Sequence, residues 1–402
     1  MVLDPDGKRV SLDPRDDRFV QDPYAAYAFL HREARMFFWE QYGFWCFGGY
    51  DDVNRLLRDR RLGRERPVPR TGDRGHLADF DRVEAHSMLE LEPPVHTRLR
   101  GLVNRAFVSR QIERLRPRVE ALAGELVDRF EADGSVDLLP AYATPVPIVI
   151  ICEILGLPTE DGDALLDWSH AMVAMYMHGR NRDTELAANR AAVAFTAYLS
   201  KRIGERRKRP GDDLISLLIA ARDEGEKLSE DELISSIMLL LMAGHEATVH
   251  QTGNAIRTIL TSGTEPAALF ATGDDTARTV EECLRFDPPL HMFTRFVYEG
   301  FEVAPGLVLE PGQEIGLLLG AANRDPLAFA DPGRFDPQRT DQKNVSFGAG
   351  IHFCIGAPLA RLEMQVSLKV LFERLPGLRL AEAPRYGATY HFHGLERLNV
   401  EW

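Results

Sequence analysis

The chain has 402 residues, 45% of them hydrophobic and 27% charged, an ordinary globular balance with ample length for a large core. Its 48 basic and 61 acidic residues leave a formal net charge of −13, which argues against nucleic acid or an anionic membrane as the main partner. The four cysteines, Cys46, Cys152, Cys283 and Cys354, stand far apart, so neither a zinc clip nor a redox pair is written. A reducing, cytoplasmic location is expected over a disulfide framework.

Met1 to Asp13 is polar and carries no apolar signal core. Residues 24–34 read as a helix after Asp22-Pro23, 37–39 and 44–47 as a hairpin, and 50–59 as helix again. Residues 66–92 contain Pro, Gly and His and read as irregular, the kind of long segment that often carries function. Glu92-Pro93-Pro94 opens a helix that puts His96 and Arg100 four apart on one face. From these residues alone, a solvated polar face is as good a reading as a binding site. Helical patterns follow over 111–132, 141–155, 159–176, 185–207 and 212–224. The basic cluster at 201–209 reads as cations at a helix C-terminus.

Ser229, followed three residues on by Glu232, signals a capping box and opens the longest helix, which runs to about Ser262. Its apolar run 233–243 falls short of the ~20 residues a membrane span needs, so a soluble chain is expected. This helix contains Ala243-Gly244-His245-Glu246-Ala247-Thr248. The plain reading is that Gly244 permits close helix packing and Glu246 faces water. Residues 275–286 read as a helix with Glu282 and Arg285 spaced to pair, ended by Asp287-Pro288-Pro289. Strands are expected at 296–297, 301–303 and 312–319, turns at 321–326 and 335–337, and a hairpin around His393-Gly394 in the tail 390–402.

Phe347-Gly348-Ala349-Gly350-Ile351-His352-Phe353-Cys354-Ile355-Gly356 leads into an amphipathic run, 357–373. Glycines let a backbone turn sharply and approach a flat object closely. A thiolate framed this way is a metal ligand or a nucleophile; the plain alternative is an inert buried thiol.

Together these segments resemble the cytochrome P450 family in its soluble bacterial form, over nearly the whole chain. Phe347-Gly348-x-Gly350-x-His352-x-Cys354-x-Gly356 is similar to that family's haem-binding loop, and Glu282-x-x-Arg285 to its buried ion pair. Residues 335–339 resemble the loop that meets this pair. Ala243-Gly244-x-Glu246 resembles the oxygen-activating part of the central helix, and His96-x-x-x-Arg100 the propionate-binding helix. The resemblance implies one domain over 1–402, mainly α with small β-sheets. The β-rich parts are expected near 37–48, 296–320 and 378–402, with a helical body at 97–286 and 357–374. The implied shape is the triangular cytochrome P450 fold, with haem between the central helix and the cysteine-loop helix.

By the same resemblance the cofactor is haem b, with the Cys354 thiolate as axial iron ligand. Phe347 shields the sulfur, and the backbone at Gly348, Gly350 and Gly356 approaches it. His96, Arg100, Arg295 and His352 hold the propionates, and Glu282, Arg285 and Arg339 form a structural ion-pair set. The implied activity is a monooxygenase that puts one atom of O2 into a C–H or C=C bond, since a thiolate ligand favours O–O cleavage.

One position departs from the family. The threonine expected directly after the acid Glu246 is replaced by Ala247, and Thr248 follows one place on, about 100° around the helix. The resemblance implies that a substrate hydroxyl or an ordered water is expected to supply the missing contact, as in a macrolide-precursor hydroxylase subgroup that also carries alanine. Two alternatives are a peroxide-using or otherwise atypical enzyme, and an engineered alanine. From another class comes a catalytically silent haem-binding sensor.

The small-molecule substrate implied is neutral and mostly apolar. Its lining would include Met88 and Leu89, Met172 and Met175, and Leu240, Ala243 and Gly244 with the catalytic group Glu246, Ala247 and Thr248. Leu290, His291, Met292 and Phe293 would join them, with Tyr390 and His391. Any one of these reads equally as core. No flavin or iron–sulfur segment is present, so electrons should come from a separate ferredoxin and its reductase, docking near Arg98, Arg105, Arg110 and Arg361. A monomer is expected.

Overall fold

The computed structural model describes residues 1–4, 6–68, 72–105, 107–223 and 228–402. They form two compact units. One comprises Met1–Pro67, Pro117–Ala143 and Ala247–Trp402, the other Val68–Arg116 and Thr144–Glu246.

The first unit carries the sheets. Its seven-stranded sheet runs, in spatial order, Val2–Leu3, Arg9–Ser11, Met36–Trp39, Phe44–Phe47, Glu314–Leu318, Met292–Val297 and Leu62–Gly63. The expected hairpin is present, with Met36 opposite Phe47 and Trp39 opposite Phe44. Alternation along Met36–Trp39 buries Phe37 and Trp39 on one face, which fixes the register. Glu314–Leu318 lies parallel to Phe44–Phe47 and antiparallel to Met292–Val297, so Ile315 pairs with both Trp45 and Arg295.

Three expectations for this unit need correction. The strand expected at 296–297 begins at Met292. The turn expected at 321–326 opens with a helical segment, Leu319–Ala322. The tail does not form a hairpin around His393-Gly394: Asn399–Glu401 pairs with Arg379–Leu380 and Ser135–Asp137 instead. The Gly387 N–H donates to the Gly394 carbonyl (2.9 Å) and the His393 N–H to Pro289 O (2.8 Å). Backbone groups satisfied this way have no need of a ladder.

The second unit is helical. Residues 66–92, expected to be irregular, hold the helix Ala78–Glu84, which buries Phe80, Val83 and Glu84. The pattern expected over 111–132 divides into Ser109–Glu113, in this unit, and Arg116–Asp128, which from Pro117 on belongs to the first unit; Pro117 stands in the first turn of that helix, where its missing N–H is harmless. Regular helix in the 141–155 stretch starts at Pro145. Gly162–Val173 and Arg182–Lys208 follow. Within the basic cluster, Arg202 pairs with Asp161 (2.7 Å) and Arg207 with Glu230 (2.5 Å), both inside the unit. The next helix is Leu214–Asp223; Glu224, the expected end, lies outside the described residues.

The long helix is Glu230–Thr261. Its capping box is reciprocal: Ser229 N–H donates to Glu232 Oε2 (2.8 Å) and Glu232 N–H to Ser229 Oγ (3.0 Å). Among the described residues it is the one helix long and apolar enough, by length and composition, to cross a membrane. The apolar character extends beyond the run that ends at Ala243, so the helix is longer and more apolar than expected from that run. Of its most apolar window, 67% is buried inside the protein, as in a core helix.

Candidate functional site

The cysteine loop is shaped by two left-handed glycines, Gly348 (φ +68°) and Gly350 (φ +71°). A Cβ on Gly350 would lie 2.5 Å from the Leu57 carbonyl oxygen, so no side chain fits there. The loop closes on itself: Cys354 N–H donates to Phe347 O (2.9 Å) and Gly348 N–H to Val345 O (2.8 Å). The Arg361 guanidinium stacks over the Phe347 ring at 4.6 Å and also pairs with Glu281. Cys354 stands two residues before Gly356, the N-cap of the 18-residue helix Ala357–Arg374. A helix N-terminus favours negative charge, and so a thiolate.

The other three cysteines are buried. Burial pushes the Cys46 and Cys283 thiols far up and the Cys152 thiol up to about 12. Cys354 alone of the four is partly exposed.

The ion-pair set supports this loop. Arg285 donates from Nε and Nη2 to the two Glu282 oxygens (2.8 and 2.7 Å). Arg339 Nε and the Asp336 N–H complete the carboxylate at 3.2 and 2.8 Å. Glu282 and Arg285 are 2% and 1% exposed, so neither charge reaches water. Arg285 Nη1 also donates to the Asn323 carbonyl (2.8 Å). The Asn323 side chain accepts from Val345 N–H (2.9 Å) and donates to Ser346 Oγ (2.7 Å), and Ser346 donates to Leu284 O (2.6 Å). The pair is thereby tied, through Asn323, to the residues just before Phe347. Sequence reasoning missed Asn323 and Ser346; each is a single polar residue in a turn, with no pattern to mark it.

Other sequence-predicted residues fall into groups. Arg295 is buried in its strand and donates to Thr294 O (2.8 Å). His352 ends the short helical turn Gly350–His352 and is partly exposed. The Phe293 ring packs against Gly348, 3.0 Å from where a Cβ would be. In the helical unit, His96 is buried and Arg100 half-buried on Val95–Asn104. Gly244 does permit close packing, since a Cβ there would lie 2.9 Å from Ile151. Glu246 does not simply face water: its side chain is 12% exposed and its Oε2 is 3.2 Å from His170 Nε2. Ala243 is exposed although Leu241 and Met242 beside it are buried.

Among the lining candidates, Met88, Met172, Met175 and Leu240 are buried, and Leu89, Leu290, Phe293 and His391 partly exposed. His291, Met292 and Tyr390, also expected in the lining, are buried. The Tyr27 hydroxyl is 2.7 Å from His291 Nδ1 and donates to the Tyr390 hydroxyl at 3.0 Å. Tyr390 and Met292 belong to the core cluster around Trp39, Phe37 and Phe19. An aromatic cluster with its own polar partners holds these residues inside.

The donor set suits a thiolate-ligated haem. It offers one soft sulfur on a tight loop with Arg295 and His352 on the same unit, whereas structural zinc needs four nitrogen or sulfur ligands.

Comparison with known proteins agrees. The cytochrome P450 family model matches residues 276–376, from the ion-pair helix to the end of the cysteine-loop helix. The chain is 38% identical over 397 residues, 96% of either chain, to cytochrome P450 107B1 of Saccharopolyspora erythraea. It is 37% identical over 380 residues, 92% of either chain, to the 6-deoxyerythronolide B hydroxylase of the same organism. The crystal structure of P450BioI, in complex with an acyl carrier protein ligated to hexadec-9Z-enoic acid, matches with a TM-score of 0.91 at 32% identity, covering 96% of this chain and 100% of that one. The chain therefore belongs to the cytochrome P450 family, the haem-thiolate oxidoreductases, and has that family's mainly helical fold with small sheets.

Proposed function

We propose that this protein is a monooxygenase that inserts one atom of O2 into a C–H or C=C bond of a mostly apolar, polyketide-like small molecule. The cysteine loop carries the reading: one partly exposed thiol before a helix N-terminus, on a turn of left-handed glycines with no room for a side chain at Gly350. Cys354 would ligate the iron of haem b. Arg295, His352, His96 and Arg100 would hold its propionates through charge-assisted hydrogen bonds. When bound, a thiolate-ligated haem supplies electron density that favours O–O cleavage.

The chain's own residues do the rest. With the haem in place, Phe347 and the Gly348–Gly350 turn would help keep water from the sulfur. Glu246 holds an exchangeable proton at Oε2. Ala247 offers no hydroxyl beside it, and a hydroxyl of the substrate completes that contact. The substrate class follows the hydroxylase relative of 6-deoxyerythronolide B, together with the apolar character of Met88, Leu89, Met172 and Met175. Both compact units work as one domain in a cytoplasmic monomer.

Electrons come from a ferredoxin and its reductase. Of the four arginines considered for docking, Arg105 and Arg110 are exposed, whereas Arg98 and Arg361, which pair with Glu232 (2.5 Å) and Glu281, are partly buried. The test is product analysis on macrolactone substrates with labelled O2. One labelled atom in the product, dependent on ferredoxin and reductase, supports the reading. Product with peroxide alone favours the atypical enzyme, and no product under either regime favours the sensor.

A further inference from the structure

We propose that His170, His245 and Glu246 form a binding site for a divalent transition-metal ion of the zinc class, separate from Cys354. All three belong to the helical unit, His170 on Gly162–Val173 and the others on the long helix. Their donor atoms lie within 4.8 Å of one another. Glu246 Oε2 is 3.2 Å from His170 Nε2 and 3.6 Å from His245 Nε2. A tetrahedral zinc with bonds of about 2.0–2.1 Å sets its donors roughly 3.3 Å apart, close to the two separations from Glu246.

A second observation points the same way. His245 is fully buried, and its Nδ1 is 2.8 Å from the Leu241 carbonyl one turn back. That bond makes Nδ1 the N–H nitrogen and turns the lone pair of Nε2 toward Glu246. A backbone carbonyl orienting a ligating imidazole through its other nitrogen is the usual support of a metal site. The His170 side chain is 57% exposed, so an ion arrives from water and keeps a water as fourth ligand. Two imidazoles with one carboxylate suit zinc and its neighbours, whereas calcium and magnesium take oxygen ligands.

The consequence rests on the proposed role of Glu246. A bound ion occupies the carboxylate that would otherwise hold a mobile proton, so zinc slows turnover.

The experiment uses untagged, haem-loaded protein and Zn2+ in competition with a chromophoric chelator. Wild type is expected to take one equivalent. His170→Ala and Glu246→Gln are expected to weaken binding by more than the ~10–100-fold that loss of a supporting contact alone costs. Added Zn2+ slows wild-type turnover and leaves His170→Ala unaffected by zinc. Retained haem content and an unchanged helical circular dichroism spectrum check that the exposed His170→Ala variant is folded. Zinc left wholly on the chelator, or equal affinity in wild type and His170→Ala, overturns the site. Binding is read without turnover, so its failure and that of the monooxygenase reading are separate results.

Discussion

Replacing Glu282 with alanine removes one carboxylate that accepts four hydrogen bonds, two from Arg285 and one each from Arg339 and the Asp336 backbone. On an exposed helix face such a pair stabilises by only ~0.2–0.5 kcal/mol. Burial decides which scale applies. Glu282 and Arg285 are 2% and 1% exposed, so the variant leaves two guanidinium charges without their counter-ion in the interior. Breaking one partner of a buried pair costs about 3–5 kcal/mol, a large share of the ~5–15 kcal/mol that holds a domain folded. The damage should reach the cysteine loop, because Arg285 also holds the Asn323 carbonyl and Asn323 holds Val345 and Ser346. Glu282→Ala is therefore expected to lower the denaturant midpoint and to purify largely without haem. Glu282→Gln, which keeps the shape and loses the charge, should fall between. The assay is the haem-to-protein ratio alongside urea unfolding. A normal haem content with an unchanged midpoint would refute the reasoning.

Gly350→Ala places a methyl against the Leu57 carbonyl at a φ of +71°, and is expected to reduce haem retention while distant helices keep their circular dichroism. Acid stability follows from two buried histidines beside Asp287: burial holds His291 well below 6.5 and His393 down at about 3. The unfolded chain takes up these protons first, near pH 6.5. Their neutral forms thus contribute stability that is full above about pH 6.5 and drains away toward pH 3, with a slope of up to about 1.4 kcal/mol per pH unit for each group. Unfolding midpoints measured from pH 8 to pH 4 should be level at first and then fall; a flat profile contradicts the assignment. Ala247→Thr puts a hydroxyl directly after Glu246 and is expected to change the fraction of electrons lost as peroxide. Unchanged turnover, coupling and leak would mean that position 247 carries no mechanistic weight.

The elements readable in the sequence are those whose cause is local. Ser229 and Glu232 announce the long helix because a capping box is a spacing rule, and both of its hydrogen bonds form. The aromatic hairpin at Met36–Trp39 and Phe44–Phe47 was legible from two short runs around a turn. Glu282 and Arg285 could be paired from their spacing, but their burial could not be read there; it depends on strand and loop segments some 40–55 residues away, such as Asn323, Pro332 and Asp336. The helix Ala78–Glu84 was hidden behind a Pro- and Gly-rich approach that suggested irregular chain. The shared partner of His291 and Tyr390, Tyr27, could not be read from their own neighbours because it lies near the N-terminus. The contact of His170 with Glu246 could not be read in the sequence, because it joins two helices far apart in the chain.

The central claim is that Cys354 is the thiolate ligand of the haem. It is tested most directly by the ferrous–CO absorption spectrum of the purified protein beside that of Cys354→Ser. The account predicts a red-shifted band in the wild type and its loss in the variant. A red-shifted band that survives in Cys354→Ser, or one absent from haem-loaded wild type, would contradict it.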